Sequence, residues 1–258
     1  MFVRSRALPA VLAMAVLISA CGADSSTGPD ANQPATLDQA LTAFSNPAIA
    51  AANSAFFDAG AAAPGLGLGR CPYAAASQSF VCTPFSADGV AINQSFTLLS
   101  AAGVPQSAFD AATTDAIRAR TTMAGTLNAN GTSLDVDGQQ EMTLSGLISG
   151  PRTLNGGSTT KLEGIIADIF GSSTLDATLT TTITSLVIPN KSADGTQPWP
   201  SSGTIVVEST GTVGGAAIPS IRISMQFSGT STVNVARTTN GATQNCTMDL
   251  TKVDQGCK

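Results

Sequence analysis

The side chains able to do chemistry in this chain are few, and they form no familiar constellation. Histidine is absent from all 258 residues. That removes the commonest general base, every Ser-His-Asp arrangement and most metal sites. The densest acidic group is Asp135-Val-Asp137-Gly138-Gln-Gln-Glu141. At period two its three carboxylates share one face of a strand, the starting point for a calcium site or a glycosidase-type pair. An EF-hand loop needs a third acidic or amide ligand before the glycine and a longer run from glycine to glutamate. The segment has neither, and reads as the solvated face of a strand. Thr159-Thr160-Lys161 is the nearest approach to a hydroxyl nucleophile beside a lysine base, and it belongs to no motif. Arg118 and Arg120 share a strand face, where they either bind an anion or simply meet water. Trp199, between two prolines, marks a recognition loop or plugs the end of a barrel. These residues predict no catalytic site, no metal site and no cofactor.

The elements that must position such groups begin with an export signal. Arg4 and Arg6 precede an apolar run from Leu8 to Leu17, broken only by Pro9, and small residues lead to Cys21. This is the layout of a secretory signal peptide over residues 1–20. The apolar run is well short of the roughly twenty residues that a membrane-spanning helix needs. The Ile18-Ser19-Ala20-Cys21 junction resembles the lipobox of bacterial lipoproteins. The resemblance implies cleavage before Cys21, lipidation of its thiol, and a membrane as partner through that lipid. Gly22 stands where an Asp would resemble an inner-membrane retention signal, so the outer membrane is implied. Residues 21–35 are small, polar and punctuated by Pro and Gly, and read as a tether.

The other cysteines are Cys71, Cys82, Cys246 and Cys257. In an exported chain an even number predicts disulfides. Four cysteines allow three connectivities. The two local ones, Cys71–Cys82 and Cys246–Cys257, are favoured, since each could cross-link a hairpin. A zinc site would need all four thiolates from distant segments, with no C-x-x-C pair to start from.

Composition narrows the class further. The net charge is −5, and only 11% of residues are charged. No basic run exists to neutralise phosphates, so nucleic acid is not an expected partner. Residues 36–60 carry two short helical patterns, with Leu37, Leu41 and Phe44 on one face and Ile49, Ala52 and Phe56 on another. From Ser77 onward the pattern is period two. Val90, Ile92, Phe96 and Leu98 alternate with polar or small residues, as do Leu134, Val136, Met142 and Leu144. The same holds for Leu175, Ala177, Leu179, Ile183 and Val187, and for Ile221, Ile223, Met225 and Phe227, continuing to Val233 and Val235. One-sided alternation predicts antiparallel sheet. Asn130-Gly131 and Asn240-Gly241 are strong hairpin signals, and Asn155-Gly156-Gly157 and Gly214-Gly215 weaker ones.

The resulting expectation is a mainly β (α+β) chain of eight or nine strands. It is one domain over 36–258, with helices at 36–60 and antiparallel sheet at 71–258. The sheet is a long-stranded, curved meander forming a half-barrel or open barrel, with the two N-terminal helices packed on its apolar face. A closed barrel is the main alternative. A membrane-spanning barrel would carry aromatic girdles, for which one Trp and one Tyr do not suffice. Leu144, Leu179, Ile223, Met225 and Phe227 line either a ligand cavity or a core.

The chain also resembles a group of uncharacterised bacterial exported lipoproteins. The resembling segments are Cys21-Gly-Ala-Asp-Ser-Ser-Thr-Gly-Pro29, Cys71-Pro-Tyr with Phe80-Val-Cys82, Leu144-Ser-Gly-Leu147 with Arg152-Thr-Leu-Asn-Gly156, and Pro198-Trp-Pro-Ser-Ser-Gly-Thr204. The resemblance implies an envelope location and carries no activity. Two functional expectations follow. One is a non-enzymatic envelope lipoprotein, structural or binding a protein or glycan partner. The other is a carrier of a hydrophobic ligand or lipid on the apolar sheet face.

Overall fold

The computed structural model describes residues 71–87, 89–129, 131–168, 171–190 and 199–249. Nine strands of six residues or more carry the fold: β4 (Val90–Ser100), β6 (Thr114–Ala129), β7 (Thr132–Ser145), β8 (Arg152–Asp168), β9 (Gly171–Ile188), β10 (Ser202–Val213), β12 (Ile221–Gln226), β13 (Thr232–Thr239) and β14 (Ala242–Asp249). Short strands trim the ends: β1 (Tyr73–Ala74), β2 (Ser79–Val81), β3 (Phe85–Ala87), β5 (Pro105–Gln106) and β11 (Ala216–Ala217). All pair antiparallel in one 14-stranded sheet, and each long strand lies beside its sequence neighbours. The sheet is open, because β1 and β14 stand at its two ends without pairing to each other.

The expected α+β class is corrected to all-β, since no helix occurs among the described residues. The helices expected at 36–60 lie outside those residues. A short apolar stripe reports only a local periodicity, and helices of such length are marginal by themselves. Among the described residues the apolar face is packed by side chains of neighbouring strands.

That packing follows the predicted alternation. On β4, Val90, Ile92, Phe96 and Leu98 are buried, and Ile92 and Leu98 are fully so. On β7 the buried residues are Leu134, Val136, Met142 and Leu144, while Asp135, Asp137, Gln139 and Glu141 are exposed. The registers carry this parity from strand to strand. Leu98 faces Ile117, Ile117 faces Leu144, and Leu144 faces Leu154. Two apolar clusters result on one face. The larger runs from Phe80, Phe96 and Leu98 across to Val235 and Met248, and the smaller gathers Val90, Ile92, Met123, Leu134, Val136, Leu162 and Leu175. Burying each such side chain stabilises the fold by about 1.5–3 kcal/mol.

Turn chemistry fixes the registers. Ala129 pairs with Thr132 around the expected turn at 130–131. Asn240 and Gly241 have φ of 49° and 84°, the left-handed pair of a two-residue hairpin. Gly214 and Gly215 do the same between β10 and β11, with φ of 58° and 79°. Asn155-Gly156-Gly157 is not a turn. It lies inside β8, at a register shift opposite β9. There Ser185 takes φ of 47°, and its backbone N–H donates to Asn155 Oδ1 at 2.7 Å. The extra residue changes which side chains face inward. Ile183 and Leu186 are both buried, and Val187, expected inside, is only half-buried. Gly156 lies beside this bulge at φ 141°, and a Cβ there would sit 2.1 Å from Glu141 O.

The Cys71–Cys82 disulfide closes the β1–β2 hairpin as expected. Tyr73 and Phe80 stack edge to face inside it, with centroids 5.3 Å apart. The Cys82 N–H donates to Gln94 O at 3.0 Å, tying the hairpin to β4. Cys246 is also disulfide-bonded. Cys257, the partner expected for it, lies outside the described residues.

Two substitutions test this packing by chemical denaturation. Leu98→Ala is expected to cost about 2–5 kcal/mol through lost burial and a residual cavity. Gly156→Ala is expected to cost at least about 1–3 kcal/mol, because a side chain there meets backbone. Losses below about 0.5 kcal/mol at both positions would contradict the register described here.

Candidate functional site

The sheet offers two faces for function. The buried face holds the five residues expected to line a cavity or a core. Leu144, Ile223, Met225 and Phe227 belong to the larger cluster, and Leu179 packs against it partly buried. They act together as core side chains.

Sequence reasoning missed a polar row on the same face. Gln94 faces Thr121, Thr121 faces Gln140, Gln140 faces Ser158, and Ser158 faces Thr181. Five neighbouring strands thus contribute a hydrogen-bonding side chain at one level, between the two apolar clusters. Thr121 is buried, and the other four are half-buried. The signal was present in the sequence, since each of these residues sits at the apolar parity of its strand.

The open face carries the charged groups. Asp135, Asp137 and Glu141 all project there from β7 and are exposed. Asp135 Oδ1 accepts from Thr126 Oγ1 at 2.6 Å. Glu141 Oε1 lies 3.9 Å from Arg118 Nε, with both side chains about half exposed, so the pair contributes little. Thr126 and Arg118 each take one carboxylate, so the three do not act as a unit. Among the described residues no three His, Cys, Asp or Glu converge on a metal position. Arg118 and Arg120 lie on this face two residues apart on β6, both exposed. Trp199 is half-buried shortly before β10.

The hydroxyl–lysine candidate comes apart in the fold. Thr160 points to the buried face and is 6% exposed, whereas Lys161 is exposed on the other face. Lys161 Nζ donates to Glu163 Oε1 at 2.5 Å. That hydrogen bond, reinforced by the charge of Glu163, holds the ammonium above its ordinary value. A lysine base must lose its proton near neutrality, and this one is held protonated.

A shallow recess of about 370 Å³ lies on the open face, lined by Arg120, Gln139, Glu141, Gly157, Thr159, Thr180 and Thr182 among others. It exists because Gly157 stands between Glu141 and Thr182 in the registers and leaves a gap in the side-chain layer. No family model matches the chain, and comparison with curated proteins and with solved structures finds no match.

The Lys161 titration is measurable by NMR at its side-chain nuclei. A midpoint above 10.5 is expected, and Glu163→Gln is expected to bring it down. The raised value means the contact is fully present below pH 10.5 and fades as pH climbs through the folded-state value. An unchanged midpoint in the variant would remove the argument that Glu163 holds the proton.

Proposed function

We propose that this chain is a non-enzymatic envelope lipoprotein, exported and held to the outer membrane by lipid on Cys21, whose sheet binds a protein or glycan partner. The observation that carries the reading is the export signal ending in Cys21, joined to a domain that uses its cysteines as disulfides. Disulfides persist in oxidising compartments, in keeping with export. The absence of histidine and the protonated state of Lys161 support a non-catalytic role. The open face is hydroxyl-rich, with Thr178, Thr180, Thr182 and Thr184 at alternate positions of β9. Such a face offers rows of donors and acceptors, which suits a polar partner.

A second reading, a carrier of a hydrophobic ligand or lipid on the buried face, is favoured by one observation. Gln94, Gln140, Ser158 and Thr181 give the apolar face a half-buried polar row. An apolar molecule with one polar group would match that alternation. The close packing of Ile223, Met225 and Phe227 in the core weighs against it.

One experiment separates the two. Full-length protein is extracted from envelopes in mild detergent and weighed by native and denaturing mass spectrometry. The lipoprotein reading expects acyl mass on Cys21, and Cys21→Ser is expected to move the protein from the membrane to the soluble fraction. A chain that stays membrane-bound without lipid overturns the anchor. A stoichiometric amphiphile present only in the native spectrum would promote the carrier.

A further inference from the structure

The recess over Gly157 combines a gap in the side-chain layer with a ring of polar groups around it. Some polar side chains elsewhere on the open face pair with one another. Thr126 donates to Asp135, Arg222 Nε donates to Glu208 Oε1 at 2.8 Å, Lys161 meets Glu163, and Thr238 and Thr243 share a hydrogen bond at 2.8 Å. In the recess the corresponding groups are unclaimed. Arg120, Gln139, Thr159, Thr180 and Thr182 make no side-chain hydrogen bond or ion pair among the described residues, and Glu141 meets only Arg118 at 3.9 Å.

The registers explain how these groups converge. Arg120, Glu141, Gly157 and Thr182 occupy one level across β6, β7, β8 and β9. Gln139, Thr159 and Thr180 occupy the next level. Adjacent strands are about 4.8 Å apart, so the two levels form a compact patch of donors and acceptors. Gly157 leaves its centre empty. A Cβ there would lie 2.5 Å from Thr181 O, so no side chain fills the gap without moving backbone.

We propose that this recess is a saccharide subsite taking a neutral, hydroxyl-rich sugar. The proposal rests on the reading of the open face as a partner surface. The outward-facing side chains of the lining offer one guanidinium fork, one carboxylate, one amide and three hydroxyls. Planar groups of these kinds pair two neighbouring hydroxyls at once. Arg120 and Glu141 carry opposite charges in the lining, with Arg118 beside Glu141 at its rim, a mixture that suits a neutral ligand better than an anionic polymer. A volume of about 370 Å³ is at the small end of ligand sites. No aromatic side chain lines it, so stacking adds nothing and binding to one site is weak. Such a site suits a repeating polymer engaged by many anchored copies.

The test uses full-length protein in detergent with defined hexasaccharides: cellohexaose, maltohexaose and chitohexaose as neutral probes, and oligogalacturonate as the anionic one. Saturation-transfer NMR reads binding. At least one neutral hexasaccharide is expected to saturate below about 10 mM. Arg120→Ala and the double variant Thr180→Val, Thr182→Val are each expected to weaken it at least tenfold. Arg222→Ala, on the same face outside the recess, is expected to leave it unchanged. Thermal melts check folding, and Gln139→Ala replaces any variant that melts early. Three outcomes overturn the proposal: no saturable neutral sugar, binding to oligogalacturonate alone, or binding unaffected by the recess variants. Any of these leaves the lipoprotein reading standing if Cys21 carries lipid, so the two failures are told apart.

Discussion

The cross-strand register is the constraint on which the rest of this structure depends. Each long strand puts alternate side chains on opposite faces, so a slip of one residue between two strands would bring polar groups inward and apolar ones out. The continuous line from Leu98 through Ile117 and Leu144 to Leu154 exists only because three consecutive pairings agree. Gly131, at φ 82°, closes the β6–β7 hairpin between Ala129 and Thr132 and so fixes one of these pairings. The same agreement, read on the opposite face, lines up Arg120, Glu141, Gly157 and Thr182. Core and recess are two consequences of one set of pairings.

Much of this was legible in the residues. Period-two alternation identified which side chains of β4, β7 and β12 turn inward, because one-sided burial leaves a mark on every second residue. The Cys71–Cys82 bridge was legible for a similar reason, since a short spacing in an exported chain matches a hairpin. Other features depend on residues far apart in sequence. The bulge at Ser185 is held by Asn155, thirty positions away, and nothing near Ser185 announces it. The alternation therefore pointed to Val187 where the fold buries Leu186. The glycines at 156 and 157 read locally as a turn, yet they serve inside a strand because neighbouring backbone comes too close for a side chain. The recess needed four strands in known register before its members could be recognised as neighbours.

The polar row on the apolar face shows how alternation can mislead by its regularity. Thr121, Gln140 and Ser158 sit at apolar parity, and a reading that counts only apolar residues passes over them. A buried hydroxyl or amide costs stability unless it is hydrogen-bonded, and of this row only Thr121 is buried, the other four keeping partial contact with solvent. The row divides one face into two apolar clusters. The division gives the long strands β8 and β9 two separate packing regions along their length.

The strand order has a further consequence, for how the sheet forms. Every long strand pairs with strands adjacent in the chain or separated from it by one strand of two or three residues, so each pairing closes a short loop. Loop closure of that size is entropically cheap, and β proteins dominated by such local contacts avoid the slow search that long-range pairing imposes. The sheet can therefore zip up progressively from one edge to the other, each completed hairpin templating the next strand.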